Sequence, residues 1–167
     1  NGATVHALGG ATARGLRRVP LIMRAVRAVV AEARRRRFDA LHGIWADEPG
    51  LVAVAAGRLM RTPAVVTLGG GELVALPDIG YGHQLSRAAR AMVRLSLGHA
   101  DRVTAGSTLL HDLAAPRVAP DRLVVTPLGV DTALFSPGAS GALPGDRFKL
   151  LHVASLVPIK NQPMLLR

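Results

Sequence analysis

Short apolar runs alternate with stretches of helical period along most of this 167-residue chain, and that alternation restricts its fold more than any other feature. Phe38–Ile44 (FDALHGI), Pro63–Leu68 (PAVVTL), Arg102–Ala105 and Leu123–Val125 are too short for helices and apolar enough for buried strands. Between them, Glu48 or Pro49 to Met60, Ser86 to Leu97 and Ser107 to Ala115 read as helices. Strands alternating with helices predict βαβ units, hence an α/β, Rossmann-like parallel sheet with helices on both faces. Such sheets bind ligands beyond the carboxyl ends of their strands. Any site therefore belongs to the loops at Gly43–Glu48, Gly69–Glu72, Gly106–Ser107, Leu128–Asp131 and Ser155–Lys160.

Local signals fill in the rest. Thr4–Leu8 reads as a short strand ended by Gly9-Gly10. Pro20–Arg37 is the clearest helix: Ile22, Val26, Val29 and Ala33 form one stripe, widened by Ala25 and Val30, with Arg24, Arg27, Arg34 and Arg35 opposite. Asp47, Ser86 and Ser107 stand where helix caps are needed. Ser86–Leu97 is expected to turn Ala88, Met92 and Leu95 inward and to end at Gly98. Pro127 stops the Leu123–Val125 strand, Gly129 allows a tight turn, and Asp131 caps a helical turn through Leu134 and Phe135. Residues 138–145 (GASGALPG) read as a linker, and a new strand is expected at Phe148–Val153. The chain thus divides into a domain over 1–137, the linker, and the start of a second domain over 146–167.

Composition removes several classes. Hydrophobic residues make up 49% and charged ones 19%, which is not the composition of a disordered chain. Cysteine is absent, so no disulfide framework or thiolate metal site exists. No apolar run approaches the ~18 residues of a membrane span. The first residues, NGATVHALGG, lack a signal-peptide pattern and an initiator Met, which fits a fragment or processed chain with a cytoplasmic location. Of the net charge of +10, nine arginines lie before Phe38 against one acid, Glu32. Such a segment is an ordinary solvated face, or it faces an anionic membrane or nucleic acid. Aromatics are only 3%, so the stacking platforms of single-strand binders are missing and no nucleic-acid partner is expected.

Two stretches carry candidate chemistry. Gly69-Gly70-Gly71-Glu72 follows a strand: its glycines let backbone N–H groups approach a phosphate or sugar, and Glu72 adds an acceptor. His42, Trp45, Asp47 and Glu48 cluster after another strand, without metal-ligand spacing. There His42 reads as a core histidine, and no metal is expected.

Val125–Pro137 (VTPLGVDTALFSP), followed by Leu150–Lys160 (LLHVASLVPIK), resembles the interdomain region of GT-B glycosyltransferases of family 4. That family reads V-I-P-N-G-V-D-x-x-x-F-x-P and then G-R-L-x-x-x-K-G. Leu128 replaces the usual Asn, and Ala154 and Ser155 replace Gly and Arg, while Lys160 is retained. The resemblance extends back to about Phe38. It implies transfer of a sugar from a nucleotide-sugar donor to an acceptor held between two domains, with retention of configuration and no metal or other cofactor. It places donor contacts at Lys160 and Ser155 and site roles at Gly69, Gly70, Glu72, Gly129 and Asp131, without naming a catalytic residue. Lys160 would neutralise the leaving pyrophosphate; Ser155 can donate one hydrogen bond but not a bidentate guanidinium contact. The family's H-G-[SD]-[DE] loop carries a histidine where this chain has Gly69. It implies, too, that most of the donor domain, with its E-x7-E pair, lies beyond this sequence, so the chain alone is expected to be inactive. An acceptor sugar, lipid or small molecule follows, as does a peripheral contact of the Pro20–Arg37 helix with the inner face of a membrane. The alternatives are a non-catalytic anion- or nucleic-acid-binding module and a GT-B-like nucleotide-sugar epimerase.

Overall fold

A computed structural model describes residues 3–9, 18–136 and 151–167. Strands β1 (Leu41–Ile44), β2 (Ala64–Leu68), β3 (Arg102–Ala105) and β4 (Leu123–Val125) form a four-stranded parallel sheet in the order β1-β2-β3-β4. Helix α1 (Arg18–Ala33) precedes β1, and α2 (Glu48–Met60), α3 (Arg87–His99) and α4 (Thr108–Ala114) connect successive strands. The α/β, Rossmann-like expectation therefore holds.

Side-chain alternation decides which face is covered. On β2, Ala64, Val66 and Leu68 are buried, while Val65 and Thr67 are half-buried. The register carries this pattern across the sheet, setting Val66 beside Gly43 and Val103, and Leu68 beside Ala105. These residues share one core with Val54 of α2, Val93 and Leu97 of α3, and Ala114 of α4. Burying each of Val66, Val103 and Leu97 contributes roughly 1.5–3 kcal/mol.

The other face carries His42, Ile44, Thr67, Thr104 and Val124, and is partly open. There His42 Nε2 shares a 2.7 Å hydrogen bond with Thr67 Oγ1, which shares another of 2.7 Å with Thr104 Oγ1. His42 is thus exposed on a polar row across the sheet and is not the core histidine expected. In the first unit α2, α3 and α4 join the core on one face of the sheet, and the other face stays partly open.

α1 keeps its predicted stripe: Ile22, Ala25, Val26, Val29, Val30 and Ala33 turn inward, and Arg24 and Arg27 outward. It stops at Ala33, so Arg34–Arg37 follow the helix; the amides of Arg35 and Arg36 donate to Glu32 O, both at 2.9 Å. Among the described residues Thr4–Leu8 forms no strand; Thr4–Ala7 are exposed and Leu8 is half-buried. α3 turns Val93, Ser96 and Leu97 inward, in place of Ala88 and Leu95. Ser96 is tolerated there because its hydroxyl donates to Met92 O at 2.9 Å. Gly98 does not end α3, which runs to His99 with Ala100 N bonded to Ser96 O. β4 buries only Leu123; Val124 and Val125 are 45% and 37% exposed, as an edge strand allows.

A second compact unit begins at Leu128. Asp131 Oδ1 accepts from the amides of Ala133 at 2.9 Å and Leu134 at 3.2 Å, forming the predicted capped turn. Residues 151–153 form no strand. The rest of the expected Phe148–Val153 strand, Pro137 and the 138–145 linker lie outside the described residues. A 3-10 turn at Pro158–Lys160 leads into the short helix α5 (Gln162–Leu165).

Candidate functional site

Loops after β1 and β2 meet at the carboxyl end of the sheet in the first unit, where a parallel sheet places its ligands. Glu72 joins them. It is only 2% exposed, and its Oε1 accepts from Gly69 N at 2.9 Å and from Ala46 N at 3.3 Å. Hydrogen bonds to a charged group contribute ~1.5–3 kcal/mol each, so this carboxylate fixes both loops. Read from the sequence as an acceptor for a ligand, Glu72 in the structure spends that oxygen on the protein's own backbone. Its carbonyl accepts from Gln84 Nε2 at 2.6 Å, and Gly70 O accepts from Leu73 N at 3.1 Å.

The segment after Glu72 folds back on the glycine loop. Leu76 and Tyr81 exchange backbone hydrogen bonds of 2.8 and 3.0 Å, and His83 N donates to Gly71 O at 2.9 Å. Gly82 makes this return possible: with φ +108, a Cβ there would lie 2.1 Å from Val74 O. Tyr81 places its hydroxyl beside Gly71, 2.7 Å from where a Cβ would stand. Tyr81 and His83 were not separable from the loop in the sequence; the only cue was Gly82 between them.

Asp47 holds the N-cap position of α2 but makes no side-chain cap hydrogen bond, contrary to expectation. Its carboxylate turns instead toward His83, with Oδ2 3.4 Å from Nδ1. Asp47 is 7% exposed. Burial, then the adjacent Glu48 charge, push its pKa from 3.8 up to about 6, with Glu72 adding to the rise and His83 opposing it. A carboxyl that changes protonation near neutrality beside an imidazole can accept or donate a proton under ordinary conditions. Glu48 itself pairs with Arg18.

Trp45 completes the site. Its φ of 74 lies in the left-handed region, which costs a non-glycine residue ~1–3 kcal/mol. The strain is held by its amide, which donates to Thr67 O at 2.8 Å, and by its carbonyl, which accepts from Gly50 N at 3.0 Å. The indole lies over Gly69: a Cβ at 69 would stand 2.1 Å from Nε1 and 2.2 Å from Cδ1. Any side chain at that position must displace it.

Of the residues singled out from the sequence, Gly69, Gly70 and Glu72 thus meet Trp45, Asp47, Tyr81 and His83 in the first unit. Gly129, Asp131, Ser155 and Lys160 belong to the second. Gly129 is exposed, and Asp131 closes its own turn. Ser155 O accepts from Val157 N and Gln162 Nε2, both at 2.9 Å. Lys160 is exposed, its amide bonded to Val157 O at 2.9 Å. Ser107 caps α4, its Oγ accepting from Leu110 N at 3.2 Å.

No curated protein matches this chain. The family model described as Glycosyl transferase 4-like domain matches residues 1–129, a span that holds the whole sheet, the glycine loop and the Asp47–His83 pair. A Rossmann-like sheet with its loops gathered at the carboxyl edge is the architecture such a domain needs, and the chain belongs to the glycosyl transferase 4-like domain family.

Proposed function

We propose that this glycosyltransferase domain takes part in moving a sugar from a nucleotide-sugar donor to an acceptor, with retention of configuration and without a metal. The observation that carries the reading is the family match over a parallel sheet whose carboxyl edge presents a braced glycine loop and a paired carboxyl and imidazole. The first unit serves the acceptor. In the second, Lys160 serves the donor: it is exposed, and an ammonium there offsets the charge that builds on the diphosphate as the glycosidic bond breaks. Ser155 adds a neutral donor.

Saturation-transfer NMR of the chain with UDP-glucose, GDP-mannose and related nucleotide sugars tests this. Binding of at least one is expected, weakened roughly tenfold or more when Lys160 becomes Ala, the loss of about one charge-assisted contact. Silence toward every nucleotide sugar, or undiminished binding by Lys160→Ala, overturns the donor assignment.

No helix among the described residues is long and apolar enough to cross a membrane. Peripheral contact through α1 and the turn after it is supported by the exposed Arg24 and Arg27 of the helix and Arg34 and Arg35 beyond it. It requires that Arg27→Glu combined with Arg34→Glu abolish co-sedimentation with anionic vesicles; unchanged pelleting removes it.

A further inference from the structure

Trp45 is the chain's one tryptophan, and it stands at the site in a conformation that does not serve stability. Its backbone is strained, and the residue remains 54% exposed. A tryptophan kept for packing buries its indole and keeps a relaxed backbone. Here the strain turns the ring over Gly69, at the edge where a ligand of the sheet must arrive.

We propose that Trp45 is a stacking platform for the pyranose ring of a carbohydrate acceptor. This rests on the glycosyltransferase reading and deepens it. The electron-rich face of an indole attracts the weakly positive C–H groups on one face of a pyranose, while the sugar's hydroxyls stay free for polar partners. Polar partners stand around the same glycine loop: the Tyr81 hydroxyl beside Gly71, and His83, whose amide is bonded to Gly71 O. The indole also takes the space that a histidine at position 69 would need. This chain therefore meets its sugar with an aromatic surface where the related motif offers an imidazole.

Because no other tryptophan contributes, emission from the unaltered chain reports on Trp45 directly. Titration with methyl β-D-glucopyranoside, methyl β-D-galactopyranoside and methyl α-D-mannopyranoside is expected to give a saturable shift with at least one. The open-chain polyol sorbitol at equal concentration is expected to give none. In saturation-transfer NMR the responding pyranoside should lose roughly tenfold or more of its affinity for Trp45→Gly, about the worth of a well-placed aromatic contact. Trp45→Phe should keep a weaker signal. Glycine suits the left-handed backbone, so Trp45→Gly should retain its circular dichroism spectrum and melting midpoint, which a purely structural tryptophan would not allow. If that variant unfolds, the emission titration and Trp45→Phe decide.

An emission spectrum that ignores every pyranoside, or answers sorbitol equally, overturns the platform. So does undiminished binding by a folded Trp45→Gly. If the same chain still binds a nucleotide sugar, the glycosyltransferase reading survives that loss. If it binds neither pyranoside nor nucleotide sugar, both fall.

Discussion

Asp47→Asn should make this protein more stable at neutral pH and leave it unchanged in acid. Asp47 is 7% exposed, and its pKa rises from 3.8 to about 6 through burial and the neighbouring Glu48 charge. An acid whose pKa is raised on folding holds its proton more tightly when folded. Its contribution to stability is therefore most favourable below about pH 4, declines as pH rises from 4 to 6, and is constant above. At ~1.4 kcal/mol per pKa unit, the full decline is about 3 kcal/mol. Screening by water at the partly exposed rim, and loss of the attraction to His83, reduce the expected gain to roughly 1–2 kcal/mol. Asparagine has nearly the same shape, carries no charge, and loses no helix cap, since Asp47 makes no side-chain cap bond. Urea unfolding followed by far-UV circular dichroism at pH 4.5, 5.5 and 7.5 measures the difference between the two proteins. The gap should be smallest at the lowest pH, where roughly a third of it has already developed, and widen to its plateau by the highest. An equal gap at all three pH values, or a variant less stable at pH 7.5, would refute the reasoning. A stabilised variant would mark Asp47 as a residue kept at the expense of the fold.

Glu72→Ala should cost about 3–5 kcal/mol, because two loop amides lose a charged acceptor inside the protein, whereas Glu72→Gln should cost about 1–2; chemical denaturation separates the two. Gly82→Ala must move Val74 O or the backbone at φ +108, so amide exchange at Leu76 and Gln84 should quicken while the sheet amides remain protected. Leu97→Ala should lower stability by about 2–5 kcal/mol through the cavity it leaves, read as a shift in the urea midpoint at unchanged slope.

Strand positions were legible because each strand has to be apolar on its core side, and α1 was legible because its arginines and aliphatics separate cleanly by period. The inward face of α3 was not. Val93 and Leu97 are ordinary core residues, but Ser96 between them counts as polar until its hydrogen bond to the previous turn is seen. The polar row His42–Thr67–Thr104 depends on register, which no single strand contains. At the site, the glycine loop announced itself by composition, but the direction of Glu72 did not, since a carboxylate can face ligand or backbone with equal ease. Asp47 occupied the cap position while spending its charge on His83, a residue thirty-six places further along a loop with no periodic signal. Left-handed backbone at Trp45 was the least legible feature, because tryptophan has no preference that would suggest it.

The interlock of Trp45 with Gly69 also sets an order in which this site can change over generations. A side chain acquired first at 69 collides with an indole already in place, so that mutation is harmful wherever Trp45 persists. Loss of the indole first removes the three atoms nearest to that Cβ, and a later substitution at 69 then meets less resistance. The two positions are thus epistatic with a direction: a lineage holding this pair returns to a side chain at 69 only by passing through an ancestor without the tryptophan. Libraries that randomise position 69 alone should find glycine and little else, whereas libraries that vary both positions together should open the loop to new residues.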